Sequence, residues 1–210
     1  MKYRVRSLRL LAVILLVLLF ISDQAAGRSR YRLIPVPREL EQRLHKYNHL
    51  IEYYSRFSFF QPHHRVNPDF LRALIIAESG GDPKARSAKG AMGLTQILYD
   101  TGRMAARELA GRQMRFRHVS RQRLRNLRPR DLYDPAVNIL LACYLIAKYN
   151  HLYNGRLDLV VSAWNAGQHS IVDNQPAPYR ETRNHIYRVN GYFVYFLSKR
   201  RQRGIYAWQQ

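Results

Sequence analysis

Apolar residues recur along this chain at helical rather than strand spacing. Between Arg38 and Phe60 the positions Leu40, Leu44, Tyr47, Ile51 and Tyr54 form one stripe, which predicts a helix that covers the core. Asn67-Pro68-Asp69 then supplies a helix start. Asn67 can cap, Pro68 suits the first helical position, and Asp69 is favoured near the positive end of the dipole. The helix so opened runs to Gly80, with a buried stripe of Phe70, Leu71, Leu74 and Ile75. Glu78 follows Leu74 by four residues and Ile75 by three, so its carboxylate falls on the apolar face. Asp134-Pro135 opens a helix that is apolar nearly all round, through Val137, Ile139, Leu140, Leu141, Tyr144, Leu145 and Ile146, with Asn138 as a polar intruder. That pattern predicts a central buried helix. A further helix runs from about Leu157 to Gly167, and a last one from about Glu181 presents Ile186, Val189, Phe193 and Phe196. No alternating run predicts a large sheet and no internal repeat is evident, so the expected fold is mainly α, a single helical domain.

The segments between these helices carry the polar chemistry. Asp82 to Gln96 is rich in turn formers and small residues and reads as a hairpin or irregular segment. Gly90 and Gly93 would let backbone approach a ligand, and Ser87 and Gln96 would offer polar contacts beside an acid. Residues 102–133 are crowded with arginine and read as a basic insertion, its charges mostly unopposed. The net charge of +21 points to a partner that is negatively charged.

At the N-terminus, Lys2, Arg4, Arg6 and Arg9 precede an apolar run from Leu10 to Ile21, the pattern of an export signal. The run is short against the roughly 20 residues of a spanning helix, which favours cleavage over a retained inner-membrane anchor. The expected organisation is therefore signal peptide or anchor 1–26, basic linker and N-terminal helix 27–62, domain 63–200 and tail 201–210. Export places the chain in the periplasm or cell envelope and argues against nucleic acid as the partner. The single Cys143 excludes an intrachain disulfide and a cysteine-cluster metal site and reads as core. His63, His64, His118, His151 and His169 lack metal-ligand spacing, so neither metal nor cofactor is expected.

Glu78 is the candidate acid. Desolvation on an apolar face disfavours the charged carboxylate, so a raised pKa and a proton held near neutral pH are expected. An ion-pair partner is the ordinary role of such a glutamate, and the neighbouring motifs decide against it. Glu78-Ser79-Gly80-Gly81-Asp82-Pro83-Lys84-Ala85-Arg86-Ser87, followed by Gly90-Ala91-Met92-Gly93-Leu94-Thr95-Gln96, resembles the catalytic motifs of the soluble lytic transglycosylases. Asp134-Pro135 with Asn138-Ile139, then Ala163-Trp164-Asn165-Ala166-Gly167, then Tyr179-Arg180-Glu181-Thr182-Arg183-Asn184 resemble that family's remaining blocks in order, over roughly Asn67 to Val194.

The resemblance implies a lysozyme-like fold of the goose type with a glycan cleft. It also implies cleavage of peptidoglycan between N-acetylmuramic acid and N-acetylglucosamine, with one glutamate as acid and then base and a 1,6-anhydro end as product. Carried over by position, Glu78 is the catalytic residue, and Ser87, Gly93, Gln96, Asn138, Trp164, Asn165 and Glu181 are the substrate-binding set. Glu181 also fits a local role at a helix start, and core packing is the ordinary role for Trp164. Three residues depart from the family pattern: Thr95 for methionine, which removes an apolar wall, Trp164 for tyrosine, and His185 where tyrosine is usual. His185 reads as a packed residue rather than a catalytic one. A hydrolytic muramidase and a non-catalytic glycan-binding scaffold stay open beside the transglycosylase reading, and the arginines offer a contact to an anionic envelope surface.

Overall fold

Local capping chemistry sets the helices that matter most for the site. In a computed structural model, which describes residues 31–207 and side chains as far as residue 202, Asn67 Oδ1 accepts the Asp69 N–H at 2.9 Å. This opens the helix Pro68–Ser79. Gly80 ends it in the left-handed region, at φ 59°, with its N–H on the Ile76 carbonyl. Asp134 caps Pro135–Leu152 in the same way, accepting the Ala136 N–H at 2.8 Å. The export-signal segment lies outside the described residues. No helix among the described residues is long and apolar enough to cross a membrane.

In chain order the α-helices are α1 (Arg38–His45), α2 (Asn48–Ser55), α3 (Pro68–Ser79), α4 (Tyr99–Gly111), α5 (Arg121–Arg125), α6 (Pro135–Leu152), α7 (Leu157–Ala166) and α8 (Arg180–Ala207). Short 3-10 turns occupy Pro129–Tyr133 and Gln168–Ser170. All of these helices belong to one compact unit that begins at Leu33. The architecture is mainly helical, as expected. The centre is α6, whose Val137 and Ile139 to Cys143 are wholly buried. Around it, α8 lies along both α3 and α7, and Phe193 of α8 meets Phe70 of α3 edge to face at 5.5 Å.

Three expectations are corrected. The stripe from Leu40 to Tyr54 is split between two helices. The Tyr47 N–H bonds back to the Leu44 carbonyl and the Tyr47 carbonyl starts the next helix, a tighter turn that keeps Leu44, Tyr47, Ile51 and Tyr54 all buried. The arginine-rich segment is no appended insertion. α4 buries Gly102, Ala105, Ala106, Leu109 and Ala110, and Leu124, Leu127 and Leu132 follow them into the core. Its charges are partly opposed as well, since Arg123 bridges Asp131 at 2.9 Å and Asp134 at 2.7 Å. Finally, α8 continues past residue 200 as far as Ala207, into the segment expected to be a tail.

Candidate active site

Glu78 occupies the last turn of α3, with its side chain 13% exposed. The neighbouring Ser79 ties that turn to the following hairpin: its hydroxyl donates to the Leu94 carbonyl at 2.7 Å and accepts the Gly81 N–H at 3.2 Å. The hairpin itself is short. Arg86 pairs with Met92 and Met92 with Ile97 as isolated antiparallel bridges, and the Gly93 N–H reaches the Ala85 carbonyl at 2.9 Å. Gln96, at φ 50°, closes it by donating from Nε2 to the carbonyls of Ala85 and Gly93 at 3.0 and 2.9 Å. Ser87 Oγ accepts the Ala91 N–H at 3.0 Å, so this hydroxyl holds the hairpin tip.

Asn138 and Gly93 do not belong to a substrate-binding surface. Asn138 is wholly buried, and its amide bonds Thr95 twice and the carbonyls of Met92 and Leu132. At Gly93 (φ 76°) a Cβ would lie 2.1 Å from the Leu132 carbonyl oxygen and 2.5 Å from Asn138 Nδ2. The close approach that demands glycine is thus to protein rather than to ligand. Thr95 is also wholly buried, so no cleft wall is lost through its departure from methionine; its hydroxyl supplies a donor that Asn138 uses.

Gln96, Trp164, Asn165 and Glu181 come together around one groove, whereas Glu78 and Ser87 are not part of its lining. The groove, of about 540 Å³, is walled by Gln96, Ile97, Leu98, Thr101, Tyr149, Trp164, Asn165, Glu181 and Thr182. Trp164 is half-buried, and its Nε1 donates to the Thr95 carbonyl at 3.2 Å, which fixes the indole against the hairpin. Thr182 donates to Asn165 Oδ1 at 2.8 Å and latches the start of α8 to the end of α7. Glu181 is exposed in the first turn of α8. Glu78 joins this arrangement through α8. One turn beyond Glu181 and Thr182, His185 Nε2 stands 3.1 Å from Glu78 Oε1.

The Transglycosylase SLT domain family matches residues 58–186, which takes in Glu78, the hairpin, the groove and His185. The chain belongs to that family. Solved structures agree on the fold of this SLT domain. The lytic transglycosylase Slt of Pseudomonas aeruginosa, solved as an inactive mutant, is 21% identical with a TM-score of 0.52, over 76% of this chain and 23% of that one. The 70 kDa soluble lytic transglycosylase of Escherichia coli is 22% identical with a TM-score of 0.57, over 75% of this chain and 26% of that one. A 70-kDa soluble lytic transglycosylase in complex with bulgecin A is similar to the same degree, 22% identical with a TM-score of 0.55. The chain thus spans about a quarter of the length of these structures.

His185 is the residue of this SLT domain that sequence reasoning undervalued. It is 4% exposed, as a packed residue would be, but the group it packs against is the candidate acid. One signal was available. His185 precedes Ile186 and Val189 on the buried stripe of α8, so it had to face a neighbouring helix. The arginine one turn later, Arg188, lies 3.0 Å from its other ring nitrogen.

Proposed function

We propose that this SLT domain is a peptidoglycan lytic transglycosylase, cleaving the β-1,4 bond between N-acetylmuramic acid and N-acetylglucosamine without water. The observation that carries the reading is the position of Glu78, a sheltered carboxyl that meets α8 one turn from the groove wall of Trp164, Asn165 and Glu181. The related lytic transglycosylases lend support, since one of them was solved as an inactive mutant and another with bulgecin A bound.

In this reading the Glu78 carboxyl gives its proton to the glycosidic oxygen. The bond from muramic acid C1 to that oxygen breaks, and the N-acetylglucosamine leaves with a free C4 hydroxyl. The substrate's own acetamido oxygen stabilises the positive charge at C1. The Glu78 carboxylate then takes the proton of the muramic acid C6 hydroxyl, whose oxygen closes on C1. A 1,6-anhydro end results and Glu78 is protonated again, so neither water nor a net proton is consumed. One carboxyl suffices, in contrast to the paired carboxylates of most glycosidases, and the chemistry calls for no cofactor.

Gln96, Trp164, Asn165 and Glu181 are the residues of the groove that would hold the glycan. Ser87 acts through the hairpin tip, and Asn138 and Gly93 through the clamp behind it. The exposed Arg103, Arg107, Arg115, Arg117, Arg125, Arg128 and Arg130 offer positive charge suited to an anionic envelope component. Contact there would weaken with salt. An exported enzyme of the periplasm or envelope fits both this charge and the N-terminal segment.

The test is mass spectrometry of purified peptidoglycan sacculi digested with the protein and with Glu78→Gln. Anhydromuropeptides are expected from the first, and a loss of at least about 10²-fold in the second. Reducing ends would make it a hydrolytic muramidase. Intact sacculi with protein bound would make it a scaffold.

A further inference from the structure

We propose that His185 is the positioning residue for the Glu78 carboxyl, and that Arg188 fixes the imidazole tautomer in which it does so. The proposal rests on the reading of Glu78 as the proton-transferring group. Arg188 Nη2 lies 3.0 Å from His185 Nδ1. A guanidinium has only donors, so Nδ1 accepts and the ring proton sits on Nε2. That nitrogen faces Glu78 Oε1 at 3.1 Å. The ring is 4% exposed, and Nε2 has no aligned hydrogen-bond partner. A buried N–H left in that state is costly, and Glu78 Oε1 is the acceptor within reach.

Two consequences follow for the chemistry. Once Oε1 accepts the imidazole N–H in the substrate-bound site, Oε2 is the oxygen that carries the proton to the glycosidic oxygen and takes one back from the C6 hydroxyl. His185 itself cannot serve as the base, because Nε2 is already protonated and the Nδ1 lone pair is turned to Arg188. Both transfers therefore fall to Glu78, and His185 contributes by orientation. The contact is close but off-line in the free site, and catalytic hydrogen bonds of this kind tighten when substrate binds. Helix geometry sets the arrangement, since Arg188 stands one turn after His185 on α8.

The experiment combines ¹⁵N NMR of the His185 ring, assigned against His185→Gln, with turnover of soluble glycan strands. In the wild-type protein the ring is expected to carry its proton on Nε2, and Arg188→Met is expected to release a mixture of tautomers. His185→Leu is expected to lower kcat by ~10- to 100-fold, with KM changed by less than about twofold. His185→Gln, whose amide N–H stands near the place of Nε2–H, is expected to recover most of that loss. Circular dichroism melts verify that each variant is folded; should His185→Leu fail to fold, Arg188→Met, which keeps the ring, carries the same split between kcat and KM. A wild-type ring protonated on Nδ1, or on both nitrogens, overturns the proposal, as does a folded His185→Leu with wild-type kcat. An inactive wild-type protein with its ring proton on Nε2 would sink the transglycosylase reading and leave the ring geometry standing.

Discussion

Asn138 Oδ1 accepts both the backbone N–H of Thr95, at 3.0 Å, and its hydroxyl, at 2.7 Å. The other half of the amide donates to the carbonyls of Met92 at 3.1 Å and Leu132 at 2.8 Å. One side chain thereby uses its whole hydrogen-bonding capacity on the floor of the hairpin, and both residues of the pair are wholly buried. Asn138→Leu keeps the branching of the side chain but strands the partner groups away from water. The expected cost is about 3 kcal/mol. It would appear as a lower urea midpoint at unchanged slope, and a midpoint equal to the wild type would mean that water replaces the amide.

Gly93 lies over the same clamp. Alanine there would need φ 76° and would press its Cβ to 2.1 Å from the Leu132 carbonyl oxygen, a backbone atom that no rotamer change can move aside. Gly93→Ala is therefore expected to cost about 2–4 kcal/mol and to distort the hairpin that anchors Trp164. Gly90, with open space around its added Cβ, is the control. Its φ of 82° still carries backbone strain, so Gly90→Ala should cost about 1 kcal/mol and leave the hairpin intact. Equal losses at the two positions, measured by chemical denaturation, would contradict the clash.

The parts of this molecule that could be read from sequence are those whose physics is local. The caps at Asn67 and Asp134 each act over two residues, so the starts of α3 and α6 could be read directly, and with them the apolar face that carries Glu78. Asn138 was harder, because a polar residue on a buried helix can face either a cleft or a strip of backbone, and only the hairpin packed against α6 decides which. The arginines drew attention away from Gly102, Ala105, Ala106 and Leu109, which have the helical spacing of a packed face. Glu78 and His185 are more than one hundred residues apart, on α3 and α8, and no periodicity within either helix can announce that they meet.

Acid stability should depend on two carboxyls held by cations, Glu108 and Asp131. Burial alone would raise the Glu108 carboxyl, but Lys148 Nζ at 2.7 Å and the Tyr144 hydroxyl at 2.5 Å outweigh it and hold the group below its ordinary 4.5. Asp131 is likewise desolvated yet held below its ordinary 3.8 by the Arg128 N–H and by Arg123. Both carboxyls bind protons more readily in the unfolded chain. Their contribution is therefore fully present above the ordinary values and is lost as pH falls through the lowered folded ones. Thermal melts from about pH 6 to pH 3 should show a plateau that gives way below about pH 4.5. Glu108→Gln should melt lower on the plateau and lose less on acidification. A variant curve parallel to the wild type would show that Glu108 is not coupled to folding.

Trp164 separates packing from recognition. Its Nε1 donates to the Thr95 carbonyl at 3.2 Å and its ring meets Tyr149 edge to face at 6.5 Å, while the half-buried indole also walls the groove. Phenylalanine would keep an aromatic face and lose the hydrogen bond, costing about 1 kcal/mol of stability. Alanine would lose both. If a sugar ring stacks on the indole, calorimetric titration with an N-acetylglucosamine oligosaccharide, in a Glu78→Gln background that prevents turnover, should separate the two. Trp164→Ala is expected to weaken binding by about tenfold or more, equivalent to ~1.4 kcal/mol, and Trp164→Phe by no more than about threefold. An unchanged affinity in a folded alanine variant would leave the indole as hairpin support alone, and recognition of the glycan would then fall to Gln96, Asn165 and Glu181.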